Sequence, residues 1–263
     1  MNILIIDGCP HKGNTWRLIE LVKAQILNMD NTASFDEVQL IKYHLPFCCG
    51  CSKCFRAGHT NCPHHSIIQK ILEKMESCDG FIICSSCYQG AVTAIMKNFT
   101  DHLAFLIHRP RFFTKKALLV STTGGVSADC VTQSLANTVS GWGVNRCYQL
   151  PVVALSWNDY QPTERQKKTA RRVTKGFVND IQSHKLHAPR IGVLIPFNLY
   201  RAMCCDYAPG TQYPTEDGIF WQQYQGMTYA PGIPMPIHKK LFAHFVYFVG
   251  KIISKKMIIT YKK

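Results

Sequence analysis

The chain has 263 residues, 46% of them hydrophobic, and a formal net charge of +14. That much apolar material builds a core and excludes wholesale disorder, while no run reaches the roughly 18 apolar residues that a membrane-spanning helix needs. The charge favours anionic partners of any size and argues against a soluble carrier that docks on basic proteins.

The opening MNILIIDGCP has no basic n-region, so it reads as a first strand rather than a signal peptide. NILIID (2–7) is an unbroken apolar run ended by Gly8, the pattern of a buried parallel strand. From Trp16 to Leu27 apolar residues recur at helical spacing, in a helix expected to open at Thr15. FDEVQL (35–40) is a second strand. A cysteine-rich insert at 47–63 comes next. Ser66 is then the expected cap of a helix with apolar positions 67, 68, 71, 72 and 75. GFIICS (80–85) is a third strand, in which Cys84 reads as filling. A helix follows over 92–106. KALLVST (116–122) is a fourth strand, ending at Gly124 and Gly125, with a helix over 128–140 after it. CYQLPVVAL (147–155) is the fifth strand. Residues 162–181 form a long basic helix with Pro162 near its first turn.

Strands alternating with helices imply a parallel sheet covered on both faces. Five of each suit an α/β, flavodoxin-like, doubly wound five-stranded sheet of order 2-1-3-4-5, with ligands bound beyond the carboxyl ends of the strands. This unit is expected to occupy 1–184. Residues 185–263 form a C-terminal extension packed on the same unit or on a partner subunit. Seven prolines with aromatics between them predict an extended, wrapping segment over 186–236, rather than a second core, before a terminal helix at 237–256. That helix mixes an aromatic apolar face with lysines. Contact with a membrane surface is one reading, and a core-covering or dimer-forming helix is preferred here. The basic stretch RQKKTARRVTKG (165–176) lacks any recognised nucleic-acid-binding signature, so nucleic acid is not an expected partner.

Three loops converge on one sheet edge. DGCPHKGNTWRL (7–18) leaves a strand and opens a helix, whose N-terminus suits a phosphate. Gly13 lets backbone approach the oxygens, Asn14 and Thr15 offer side-chain donors, and Lys12 or Arg17 adds charge. SSCYQGAVTAIMKNFTDH (85–102) follows strand three, and STTGG (121–125) follows strand four. A phosphate at the first loop with a planar ring between the other two describes bound FMN.

These segments resemble the flavodoxin-like NADPH-dependent FMN reductase family and, within it, the iron–sulfur flavoproteins. CPHKGNT is similar to the family's phosphate turn, with Cys9 in place of the usual Ser and His11 in place of Arg. In the second loop Tyr88, Lys97, Phe99 and Asp101 match, while Ser86 replaces the usual Pro and His102 the usual Arg. The likeness covers residues 1 to about 184; TEDGIFW and IPMPIHKK are similar to extensions on some members. It implies a cofactor set of Cys9, Pro10, His11, Lys12, Gly13, Asn14 and Thr15 around the phosphate. Ser86, Cys87, Tyr88, Gln89 and Gly90 would lie on one side of the ring, and Thr122, Thr123, Gly124 and Gly125 on the other. It further implies an NAD(P)H-dependent flavin oxidoreductase in which hydride passes from nicotinamide to flavin, so no catalytic side chain is required. The acceptor would be a small molecule or a protein, the assembly a homodimer or homotetramer. A flavodoxin-type FMN carrier without NAD(P)H turnover is the alternative.

Thirteen cysteines in a chain expected to be cytoplasmic point to metal binding, catalysis or burial rather than disulfides. In FCCGCSKCFRAGHTNCP (47–63), Cys48, Cys51, Cys54 and Cys62 give C-x2-C-x2-C-x7-C. Ferredoxins use the same run with Pro after the last cysteine, as Pro63 follows Cys62. The spacing resembles the motif that holds a [4Fe–4S] cluster in iron–sulfur flavoproteins, with Cys49 a spectator. Zinc and a metal-free loop stay open as alternatives.

Overall fold

The computed structural model describes residues 1–157 and 159–256. In chain order the elements are β1 (Asn2–Asp7), α1 (Asn14–Leu27), β2 (Ser34–Gln39), the single turn α2 (Lys53–Arg56), α3 (His65–Ser77), β3 (Gly80–Ser86) and α4 (Ala94–His102). There follow α5 (Phe105–His108), β4 (Lys116–Thr123), α6 (Ala128–Gly141), β5 (Arg146–Val153), α7 (Glu164–Gln182), α8 (Ile191–Met203), α9 (Glu216–Gln222) and α10 (Ile237–Ser254). The five strands pair in parallel in the order β2-β1-β3-β4-β5, as the sequence predicts.

Side chains of a strand alternate between faces, so this buried sheet has two cores. Leu4, Ile6, Phe81, Ile83 and Leu119 pack under α3 to α6. Ile3, Ile5, Ile82, Leu118 and Val120 pack under α1 and α7, with Trp16 and Phe177.

Boundaries shift where capping decides them. Helix α3 begins at His65 with His64 at its N-cap and no side-chain cap, so Ser66 lies inside its first turn. The helix expected over 92–106 is two helices. Thr93 caps the first, accepting from the Met96 N–H at 3.1 Å. Thr163, not Pro162, starts α7, through a reciprocal capping box with Gln166.

The largest departure is at 186–236. Rather than an extended wrap, this segment folds α8 and α9 around a third core of Leu194, Phe197, Cys204, Trp221, Tyr224, Tyr229 and Ile233. The prolines fall mostly between these elements, where they break the chain without preventing burial. Pro196 is inside α8. The aromatics pack mainly on one another, Phe197 against Trp221 with ring centroids 4.8 Å apart. Lys116, buried at the start of β4, fastens the extension by donating to the Lys185 carbonyl at 2.7 Å and to Asn145 Oδ1 at 2.8 Å.

Candidate functional site

Strands β1, β3, β4 and β5 end at one edge of the sheet and surround an open cavity of about 650 Å³. Its lining includes His11, Gly13, Asn14, Ser86, Cys87, Tyr88, Thr122, Thr123, Gly124 and Gly125, all drawn from the three predicted loops. The loop after β1 is fixed from below. The buried Asp7 carboxylate accepts from the Cys9 N–H at 2.9 Å and the Cys84 thiol at 3.3 Å. Burial raises the Asp7 pKa against the pull of those donors. Gly8 allows the close passage of α4: a Cβ there would stand 2.7 Å from that of Met96. Helix α1 then starts at Asn14 with Gly13 as N-cap and no side-chain cap. The N–H groups of its first turn have no intrahelical partner.

Side chains of this loop are used otherwise than the sequence suggests. The Thr15 hydroxyl is buried, 2.6 Å from Thr122 Oγ1 and 3.1 Å from Ser86 Oγ, so it ties the start of α1 to the ends of β3 and β4 under the cavity floor. Ser86 Oγ donates in turn to the buried Cys9 sulfur at 3.3 Å. The Asn14 amide donates to the Ser156 carbonyl at 2.9 Å, and its oxygen accepts from the Tyr160 N–H at 3.2 Å. Lys12 lies 3.7 Å above the Trp16 ring and 3.3 Å from the Glu37 carboxylate, and Arg17 pairs with Asp159 at 2.6 Å. Backbone N–H groups, the helix dipole and His11 are what this edge presents to an anion.

Pro10 is exposed beside the lining. Gln89 and Gly90 form the tip of a two-residue turn, both at positive φ, closed by paired hydrogen bonds between Tyr88 and Ala91. That turn holds the half-exposed Tyr88 ring at the cavity rim. Three lining residues escaped the sequence reading: Leu155, Ser156 and Trp157, in the loop after β5. Leu155 has φ 48°, an uncommon conformation for a branched residue. The signal for them was topological, since a fifth parallel strand ends at the same edge.

The cysteine insert surrounds a second cavity of about 310 Å³, lined by Cys48, Cys49, Cys51, Cys54, Cys62, His64 and the end of α4. Cys49, read as a spectator, therefore borders the same space as the other four. Left-handed turns at Gly50 (φ 62°) and Ser52 (φ 56°) fold the loop back on itself. Two remote side chains hold it. Buried Asn98 of α4 donates to the Leu45 and Pro46 carbonyls at 3.0 and 3.1 Å and accepts from the Cys48 N–H at 3.0 Å. Buried Arg109 donates to the Cys54 carbonyl at 2.7 Å and pairs with Asp217 of α9, which also holds His108 at 2.7 Å. Burial pushes the Cys54 thiol up to about 11 and raises that of Cys62, whereas the Lys53 N–H lowers that of Cys51. Sulfur is the only donor type of Cys48, Cys51, Cys54 and Cys62, which suits soft metals and iron–sulfur clusters rather than hard cations.

No helix among the described residues is long and apolar enough to cross a membrane. An iron–sulfur flavoprotein of Archaeoglobus fulgidus is 34% identical over 101 residues, 38% of this chain and 48% of that protein. An iron–sulfur flavoprotein of Methanocaldococcus jannaschii is 32% identical over 102 residues, 38% and 51% of the two chains. Each alignment thus spans about half of the curated relative. Among solved structures, a flavoenzyme NAD(P)H:(acceptor) oxidoreductase from Paracoccus denitrificans aligns with TM-score 0.52 at 16% identity, covering 70% of this chain and 99% of that one. That likeness is one of fold. The family model for NADPH-dependent FMN reductase matches residues 1–158, and the chain belongs to that family.

Proposed function

We propose that the chain is an NAD(P)H-dependent flavin oxidoreductase that holds FMN at the strand-end cavity and passes electrons through a [4Fe–4S] cluster held by Cys48, Cys51, Cys54 and Cys62. The observation that carries this reading is the pairing of two cavities across α4. The start of that helix braces the first, through Thr93 donating to the Gly8 carbonyl at 2.5 Å, and its end lines the second. Nine helical residues separate them by roughly 13 Å along the axis.

The residues present fit both groups. The uncapped first turn of α1 is a phosphate cradle, and about 650 Å³ lies within the usual span of ligand cavities. Ser86 to Tyr88 and Thr122 to Gly125 would flank the ring. FMN, when bound, supplies two-electron acceptance from a nicotinamide and release of single electrons. The chain's own residues bind, orient and partly enclose it. At the second cavity, thiols raised by burial ionise when a metal takes the proton's place. Asn98 and Arg109 fix the loop that carries them. The names of the curated relatives support the cluster, and the family match supports FMN and NADPH.

Anaerobic mixing of the FMN-loaded protein with NADPH or NADH tests the enzyme reading. Bleaching of the flavin band at a rate that saturates with nicotinamide is expected. A flavin that dithionite reduces but neither nicotinamide does would leave an electron carrier instead.

A further inference from the structure

Helix α10 lies along α8, which it meets closely. Ala243, Val246 and Gly250 are buried in the contact, and a Cβ at Gly250 would stand 2.7 Å from that of Ala202. This packing fixes which face of α10 looks outward. That face carries Ile237, Leu241, Phe245, Phe248 and Ile252, each between 47% and 77% exposed. Their spacing of three and four residues makes one stripe along the whole helix. A contiguous stripe of this kind marks a docking surface rather than scattered surface apolar residues.

Charge selects what docks there. The helix contains no Asp or Glu. At 100° per residue, Lys240, His244 and Lys251 fall along one flank of the stripe, and the exposed Lys255 and Lys256 follow its last turn. Lys251 has a carboxylate, Asp206, at 3.8 Å. A second copy seated on this face by a two-fold axis would bring the Lys240 end of one helix to the lysines at the other end of its mate, with no carboxylate on either helix to meet them. An anionic lipid surface matches both features: its acyl region takes the apolar stripe and its headgroups take the flanking lysines. We infer that α10 docks the protein on anionic membrane surfaces by inserting Ile237, Leu241, Phe245, Phe248 and Ile252 into the headgroup boundary. The flavin and cysteine cavities play no part in this surface, so the proposal stands apart from the assignment of cofactors.

Flotation of the full chain with vesicles of phosphatidylcholine alone, and of equal parts phosphatidylcholine and phosphatidylglycerol, tests it. The chain is expected to float with the anionic vesicles and to be left behind by neutral ones or at high salt. Phe245→Glu/Phe248→Glu changes two exposed side chains, so it should keep its helical circular dichroism while losing vesicle binding by roughly tenfold or more. Lys240→Glu/Lys255→Glu should lose the preference for the anionic vesicles and provides the same test should the first variant fail to fold. A wild-type chain that floats with neither vesicle overturns the proposal, as does binding that both variants leave unchanged. Sedimentation velocity on the same samples addresses the second copy. A wild-type dimer that Phe245→Glu/Phe248→Glu dissociates, in a chain that does not float, assigns the face to self-association and overturns the lipid surface.

Discussion

The strand-end cavity and the cysteine cavity flank one helix, α4, but different physics shapes them. The first is a property of the sheet. Parallel strands end in register, the N-terminus of α1 follows automatically, and the hydroxyls of Thr15, Ser86 and Thr122 lock the start of α1 to the ends of β3 and β4. The second has only short helical turns of its own, at Lys53–Arg56 and His59–Asn61. Its loop depends on Asn98, fifty residues on in the chain, and on Arg109, whose partner Asp217 lies 108 residues further still. A site made by topology tolerates changes in individual side chains. A site held by two buried polar anchors does not. The same contrast explains why the extension beyond the family match matters, since α9 contributes half of the anchor under Cys54.

The sharpest way to break the contrast is at that anchor. Asp217→Ala leaves the Arg109 guanidinium, 3% exposed, without its carboxylate. It should cost about 3–5 kcal/mol of stability by chemical denaturation. The iron content of the purified protein should fall while FMN affinity, measured by fluorescence quenching, stays within about twofold. Equal loss at both sites would show that the cavities are not independently built. Asn98→Ala removes three hydrogen bonds to the loop entry and is expected to cost about 1–3 kcal/mol, again with loss of iron ahead of loss of flavin. Thr15→Val is the complementary change. It takes the hydroxyl from between Thr122 and Ser86 beneath the first cavity, with an expected cost of about 1 kcal/mol. It should weaken FMN binding several-fold and leave the iron content untouched.

The smallest effect is a pH dependence confined to the cysteine side. Burial lowers the His59 pKa to about 4, with the positive charges of Arg111 and Arg109 adding to the shift, and the ring stacks on Phe105 at 4.7 Å. A histidine whose folded pKa lies below its unfolded value of about 6.5 holds fewer protons in the folded state between the two. Its contribution is therefore complete above pH 6.5 and is lost as pH falls toward 4. Since the ring is partly exposed, the loss should be about 1 kcal/mol. His59→Phe, which keeps the stack, should flatten the denaturation midpoint across that window; an unchanged slope would place the titration elsewhere.

What could be read from the sequence follows the same division. Strand order, the three loops that line the strand-end cavity and the gathering of five cysteines depend on local patterns such as NILIID, GFIICS and C-x2-C-x2-C. The anchors Asn98, Arg109 and Asp217 do not, because a polar residue inside a helix carries no mark of the distant carbonyl or carboxylate that it will meet. Leu155 to Trp157 were hidden for a simpler reason, the fifth strand having been read two residues past its end at Val153. In the extension, proline spacing suggested an open strap. The aromatics between the prolines decided otherwise by packing on one another, a long-range outcome that spacing alone does not reveal.

The two cavities are proposed to hold two different occupants. The most direct measurement is flavin, iron, acid-labile sulfide and zinc content on one anaerobically purified sample, beside the Cys51→Ser variant. One FMN and about four irons per wild-type chain, with iron lost and FMN kept in the variant, is the predicted result. Flavin without iron, or zinc in its place, would contradict the cluster, and a protein that takes up no FMN would contradict the assignment of the strand-end cavity itself.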